Sequence, residues 1–173
     1  MHASGRQERA WVRRAQAGSA ADLEALYRAH WPRACRAAYL VVHDADAAED
    51  IAQEAFLAAV RTLDRFDRRR PFGPWLHRIV VNRAIDWARA RKLRAEVELA
   101  DVIAPGPGPP GDPALVRALA ALPPDQRAVI VLRHLLEYTP GEIAELLDLP
   151  RGTVNSRLRR GLDELAGRLE EDE

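Results

Sequence analysis

Apolar positions recur at helical spacing along nearly the whole chain. Leu23, Leu26, Tyr27, Trp31 and Cys35 follow one another in this way, after Ser19 and Asp22, which read as a helix-capping pair. A second helix is expected to begin near Asp46, whose side chain can cap it while Glu49 sits at the third helical position, and to run to about Leu63. Its geometry turns Ile51, Phe56 and Val60 towards a core and places Asp50, Gln53, Glu54, Leu57 and Arg61 on one other side. Pro74 suits the first position of a third helix, where its missing N–H would have no helical partner. On that helix Leu76, Val80, Ala84 and Trp87 form one apolar stripe. Arg78, Asn82, Asp86 and Arg89 form a polar stripe on the far side, with Trp75 at its N-terminal end. An aromatic beside a row of hydrogen-bonding side chains suits DNA bases and phosphates. No run of alternating β-branched residues interrupts the helical pattern, so the predicted fold is all-α.

One segment breaks the periodicity. Ala104–Pro113, APGPGPPGDP, holds five prolines and three glycines and reads as a linker. The predicted organisation is an N-terminal extension over 1–19, a small helical domain over 20–94, a linker over 95–112 and a second small helical domain over 113–173. In the second domain a helix is expected over Asp125–Leu136, then Thr139-Pro140-Gly141-Glu142, a capping box with proline at the first helical position. A short helix Pro140–Leu147, a tight turn Asp148–Gly152 and a helix Thr153–Leu165 follow. Ile143, Leu146, Leu149, Val154, Leu158, Leu162 and Leu165 would supply their shared core. Two helices joined this way make a helix-turn-helix, whose second helix enters the major groove. Asn155, Ser156, Arg159 and Arg160 occupy its exposed N-terminal positions, with Arg157 beside them. Arginine pairs bidentately with guanine and asparagine with adenine, and either can bind phosphate instead.

Charge sharpens this picture. The formal net charge is zero, yet Asp44–Glu54 carries five acids and no base, whereas Arg65–Arg94 carries ten bases against Asp67 and Asp86. Arg151, Arg157, Arg159 and Arg160 form a second basic cluster. Two separated basic segments suggest two contacts with a polyanion, and the acidic helix suggests a different, basic partner. No apolar stretch is long enough to span a bilayer and Met1–Arg14 does not read as a signal peptide, so no membrane insertion is expected. The lone cysteine, Cys35, excludes an internal disulfide framework and fits a cytoplasmic location. The five histidines are scattered, and His30 with Cys35 is too few ligands for zinc; no enzyme, metal or cofactor is expected. A stand-alone helix-turn-helix repressor would explain Thr139–Leu165 but would leave the acidic helix and the first basic helix without a task.

Four segments together resemble the extracytoplasmic function (ECF) sigma factors of the sigma-70 family: DAAEDIAQEAFLAAV (Asp46–Val60), RPFGPWLHRIVVNRAIDWAR (Arg70–Arg89), LPPDQRAVIVLR (Leu122–Arg133) and YTPGEIAELLDLPRGTVNSRLRRG (Tyr138–Gly161). The resemblance implies a subunit that directs RNA polymerase core to promoters. Asp50, Gln53, Glu54, Leu57 and Arg61 would dock on the clamp helices of the polymerase β′ subunit. Phe72, Trp75, Arg78, Asn82, Arg83, Asp86 and Arg89 would open and read the −10 element. Arg151, Thr153, Asn155, Ser156, Arg157, Arg159 and Arg160 would read the −35 element as duplex. The β flap and an anti-sigma factor gripping both modules are the further partners it implies. An 18-residue linker spans up to roughly 60 Å when extended, and the two promoter elements lie roughly 50 Å apart.

Overall fold

The computed structural model describes residues 5–98 and 112–171; the predicted linker lies mostly outside them. The described residues form α1 (Gly5–Gln16), α2 (Ala20–Val42), α3 (Ala45–Thr62), a 3-10 turn (Leu63–Arg65), α4 (Phe72–Glu98), α5 (Pro113–Ala121), α6 (Pro124–His134), α7 (Pro140–Leu147) and α8 (Arg151–Glu171). Two of these, α1 and α5, were not anticipated. The N-terminal stretch is polar, yet Val12 is buried and Trp11 and Ala15 pack beside it, enough to seat one face of α1 on α2.

Several boundaries move for identifiable reasons. His43 adopts a left-handed conformation and closes α2 through its N–H to the Tyr39 carbonyl at 2.7 Å. Asp44 is then the first extended residue, and its carboxylate accepts from the Ala47 N–H at 3.0 Å, so Asp44 and not Asp46 caps α3. Val60 is 40% exposed rather than in the core. Nine residues at 100° each carry it to the opposite side from Ile51, and Ala55, Ala59 and Leu63 fill the inner stripe instead. The first residue of α4 is Phe72, so Pro74 is its third residue, still within the turn whose N–H groups lack helical partners. At its other end α4 continues to Glu98, taking four residues from the predicted linker.

The α4 stripe of Leu76, Val80 and Ala84 is fully buried, and Trp87 is half-buried with the Arg91 guanidinium 5.1 Å from its ring centroid. In the second group, Thr139 and Glu142 make the reciprocal capping box, at 3.3 Å and 2.7 Å. Asp148, in the left-handed region, ends α7, and α8 starts at Arg151, two residues before the predicted start. Leu162 is 38% exposed and lies outside the shared core that Ile143, Leu146, Val154, Leu158 and Leu165 form.

The two helical groups, α1–α4 and α5–α8, pack on each other: α2 meets α5 and α6, and α4 meets α6 and α7. Arg127 of α6 is buried there and donates from Nη1 to the Val41 carbonyl at 2.7 Å, a last-turn oxygen of α2 without a helical partner. Burial lowers the Arg127 pKa to about 10, so it remains charged at neutral pH. Burial, and then the nearby Arg127 charge, push His43 down to about 3 and leave it neutral. His77 of α4 shares a 2.7 Å hydrogen bond with the Tyr138 hydroxyl, and burial drives its pKa to about 3 as well. Arg33 of α2 donates to the Leu135 carbonyl at 3.2 Å and pairs with Glu137 at 3.3 Å.

Candidate nucleic-acid interface

Three surfaces carry the chemistry. On α3, Asp50, Gln53, Glu54, Leu57 and Arg61 are all exposed on one side, and Leu57 is 49% exposed. With Val60 beside it, an apolar spot sits among acids and is suited to a protein partner with basic and apolar groups. Glu54 also pairs with Arg83 of α4 at 2.8 Å, which draws Arg83 onto α3 and away from the polar stripe.

The second surface is the tip formed by the 3-10 turn, the following loop and the start of α4. Phe72 is 3% exposed, with its ring against His30, Phe66 and Trp75, so it shapes the tip from within and has no free face on which a base could stack. Trp75, half-buried, lies on Phe66 with ring centroids 4.5 Å apart. Thr62, Arg65, Phe66, Asp67, Arg70 and Trp75 line an open pocket of about 440 Å³. Aromatic walls and two guanidiniums fit a planar ring joined to an anionic backbone. Farther along α4, Arg78, Asp86 and Arg89 are exposed and Asn82 is half-buried.

Contacts from α1 reach this tip, and the sequence carried no local sign of them. Glu8 accepts from the Phe72 N–H at 2.9 Å with one oxygen and contacts His30 Nε2 at 2.9 Å with the other. Burial alone would raise the Glu8 pKa, but hydrogen bonds from His30 and the Phe72 and Gly73 amides outweigh it and hold the carboxyl below its ordinary value. Gln16 donates from Nε2 to the Leu63 and Phe66 carbonyls at 2.8 and 3.0 Å.

The third surface is the N-terminal half of α8, where Arg151, Asn155, Arg159 and Arg160 are exposed and Thr153, Ser156 and Arg157 are half-buried. Ser156 donates to the Thr153 carbonyl at 3.1 Å and accepts from Arg160 at 3.2 Å, so Arg160 lies along its own helix. Arg157 reaches Asp125 Oδ1 at 3.4 Å, and Arg89 of α4 reaches the same oxygen at 2.5 Å. One carboxylate in the first turn of α6 thus brings an arginine of each basic segment almost together. Among the described residues no helix is long and apolar enough to cross a membrane, and no group of three or more His, Cys, Asp or Glu side chains could hold a metal ion.

Comparison with known proteins covers both helical groups. Residues 26–94 match the family profile of sigma-70 region 2, and residues 113–165 match that of sigma-70, region 4. The chain is 34% identical to the ECF RNA polymerase sigma factor SigW of Bacillus subtilis, over 91% of this chain and 92% of that protein. The structure of CnrH in complex with the cytosolic domain of CnrY superimposes with a TM-score of 0.73 at 27% identity, covering 96% of this chain and 99% of that one. The sigma factor RpoE of Bartonella quintana, in complex with the anti-sigma factor NepR, shares the fold with a TM-score of 0.73 at 23% identity, over 88% of this chain and 99% of that one. The chain therefore belongs to the ECF sigma factors of the sigma-70 family, subunits without catalytic activity of their own that direct RNA polymerase to promoters in transcription initiation.

Proposed function

We propose that the three surfaces divide the work of promoter recognition in the cytoplasm. The α3 side, with Asp50, Gln53, Glu54, Leu57 and Arg61, docks on the clamp helices of the β′ subunit, and the second module also meets the β flap. The tip pocket receives an unstacked base of the −10 element, with Trp75, Arg65 and Arg70 at its walls and Arg78, Asn82, Asp86 and Arg89 along the strand's path. Arg83, tied to Glu54, links the docking face to that path rather than touching DNA first. The α8 face, through Arg151, Thr153, Asn155, Ser156, Arg157, Arg159 and Arg160, enters the −35 major groove. The observation that carries this reading is the open, aromatic and basic pocket at the head of α4. Unstacking a base costs a few kcal/mol, and stacking on an aromatic side chain returns about 1–3 kcal/mol per base.

Reading both elements separates the two groups. Arg89 and Arg157 share one carboxylate here, whereas the −10 and −35 elements lie roughly 50 Å apart. Thirteen residues, 99–111, join α4 to the Asp112 cap, a reach of roughly 45 Å when extended. Added to the width of the modules themselves, that reach suffices. A protein partner could instead hold the modules: the neighbour RpoE is found in complex with the anti-sigma factor NepR, which supports an anti-sigma factor as a partner here.

The direct test is abortive transcription by purified core polymerase on a randomised-promoter library, with and without this protein. Start sites that appear only with the protein, with bases enriched at both elements, are the expected result. Duplex binding by the protein alone, with no gain in initiation, would favour a repressor instead.

A further inference from the structure

We infer that α1 is the clamp that shapes the −10 capture loop, with Glu8 and Gln16 as positioning residues; this rests on the reading of the tip pocket given above. The first family match begins at residue 26, so α1 precedes the matched segment, yet it touches the tip at three backbone positions. Residues 63–72 carry four of the six pocket-lining side chains, Arg65, Phe66, Asp67 and Arg70. A loop this rich in arginine repels itself and needs fixed points if the pocket is to exist before a base arrives.

Both ends of the loop are held from α1. The residue before α4 is Pro71, whose side chain has no oxygen with which to cap the helix. The Glu8 carboxylate takes that place from a distance of 64 residues in sequence, accepting from the Phe72 N–H and setting a negative charge at the positive end of α4. His30, on the other Glu8 oxygen, fixes the carboxylate's orientation, and both side chains are only 14% exposed. Gly73 completes the fit: a Cβ there would lie 3.1 Å from His30 Cε1, so α4 starts as close to α2 as a glycine permits. At the other end, the two hydrogens of the Gln16 amide hold the Leu63 and Phe66 carbonyls. Phe66 is the platform under Trp75, so this bond sets one wall of the pocket. Glu8 and Gln16 are eight residues apart, about 12 Å along the helix axis. The rigid length of α1 thus fixes the distance between the loop's two anchored ends.

The test uses full-length protein assembled with core polymerase, on a promoter whose non-template −10 bases are replaced one at a time by 2-aminopurine. Glu8→Ala and Gln16→Ala should each slow open-complex formation by about tenfold and flatten the preference among bases at the captured position. Their affinity for core polymerase and their −35 dependence should stay within about twofold of the parent. Glu8→Gln, which keeps an oxygen for the Phe72 N–H, should fall between parent and alanine variant. In the free protein, trypsin should cut after Arg65, Arg68 and Arg69 faster in both alanine variants. The inference is overturned if melting and base preference match the parent, or if core affinity drops by the same factor as melting, which would mark a general folding role. Trp75→Ala and Arg70→Ala separate it from the reading beneath it. If those two change the −10 preference and the α1 variants do not, the clamp alone fails; if those two also leave the preference untouched, the pocket reading fails and takes the clamp with it.

Discussion

Replacing Arg127 by alanine removes a buried cation that joins the two helical groups. Its guanidinium donates to the Val41 carbonyl at 2.7 Å, at the C-terminal end of α2, where the helix leaves that oxygen unpaired. A hydrogen bond from a charged donor contributes about 1.5–3 kcal/mol, and a cation at a helix C-terminus adds to it in the same sense. Against this stands the cost of keeping the guanidinium out of water, visible in its pKa of about 10 and in an Nε without a protein partner. Taken together, Arg127→Ala should weaken the closed arrangement by about 2 kcal/mol, close to a thirtyfold shift towards separated groups. Arg127→Met fills much of the same volume without a charge to desolvate, and should cost less, under about 1 kcal/mol. Fluorophores at Glu24→Cys and Ala166→Cys, in a Cys35→Ser background, report the separation by energy transfer, and far-ultraviolet circular dichroism reports helix content. The expected result is lower transfer with unchanged helicity in the alanine variant. Parental transfer in that variant, or loss of helix in parallel with loss of transfer, would refute the account: the first because Arg127 would not hold the groups, the second because the groups would be one cooperative unit.

Other expectations follow from the same geometry. Asp50→Arg, on the exposed side of α3, should abolish binding to core polymerase in a pull-down while leaving the melting temperature within a few degrees. Arg159→Ala should weaken −35-dependent initiation by about 1–3 kcal/mol with relaxed base preference if it pairs with a base, and uniformly across sequences if it holds phosphate. His43 and His77 both have folded pKa values of about 3, far below the ordinary 6.5. Below that ordinary value the unfolded chain binds more protons, so stability is complete above pH 6.5 and declines towards pH 3. The loss at pH 5 should reach up to about 2 kcal/mol per histidine, measured by urea unfolding, and His77→Gln should remove its share. Glu8 acts in a lower window: its depressed pKa supports stability above pH 4.5, and that support disappears as pH falls through the folded value.

What the sequence made legible was local. The α4 stripe of Leu76, Val80 and Ala84 follows from 3.6-residue periodicity, and the Thr139–Glu142 box from residue types three positions apart, because each depends only on neighbours along one helix. The same reasoning placed Asp50, Gln53, Glu54, Leu57 and Arg61 on one open side of α3. It failed where a contact joins distant segments or ends on backbone. Asp44 outcompetes Asp46 as a cap because His43 turns left-handed, a choice made by the chain reversal and not by the local pattern. Phe72 points inward because His30, Phe66 and Trp75 surround it from three elements. Arg83 is diverted by Glu54, 29 residues away. Two of the polar contacts in the seam between the groups end on carbonyls, those of Val41 and Leu135, which no side-chain periodicity can display. In α1 and α5 a usable signal was overlooked: Trp11, Val12 and Ala15 recur at helical spacing within a polar stretch, and Asp112 before Pro113 is a helix start followed by Val116 and Leu119.

The carboxylate of Asp125 has a consequence for cooperativity. Because Arg89 and Arg157 lean on the same oxygen, a DNA phosphate that takes one arginine leaves the carboxylate to the other alone, free of a like-charged competitor, and tightens that hold. Through this carboxylate, occupancy of one promoter element then lowers the affinity for the other, by a factor that must be identical in both directions. The pair is partly exposed, with Arg89 at 54% and Asp125 at 26%, so each bridge contributes no more than about 1 kcal/mol. The coupling carried by this carboxylate is therefore graded, a few-fold and not all-or-none, and it fades as added salt screens the charges.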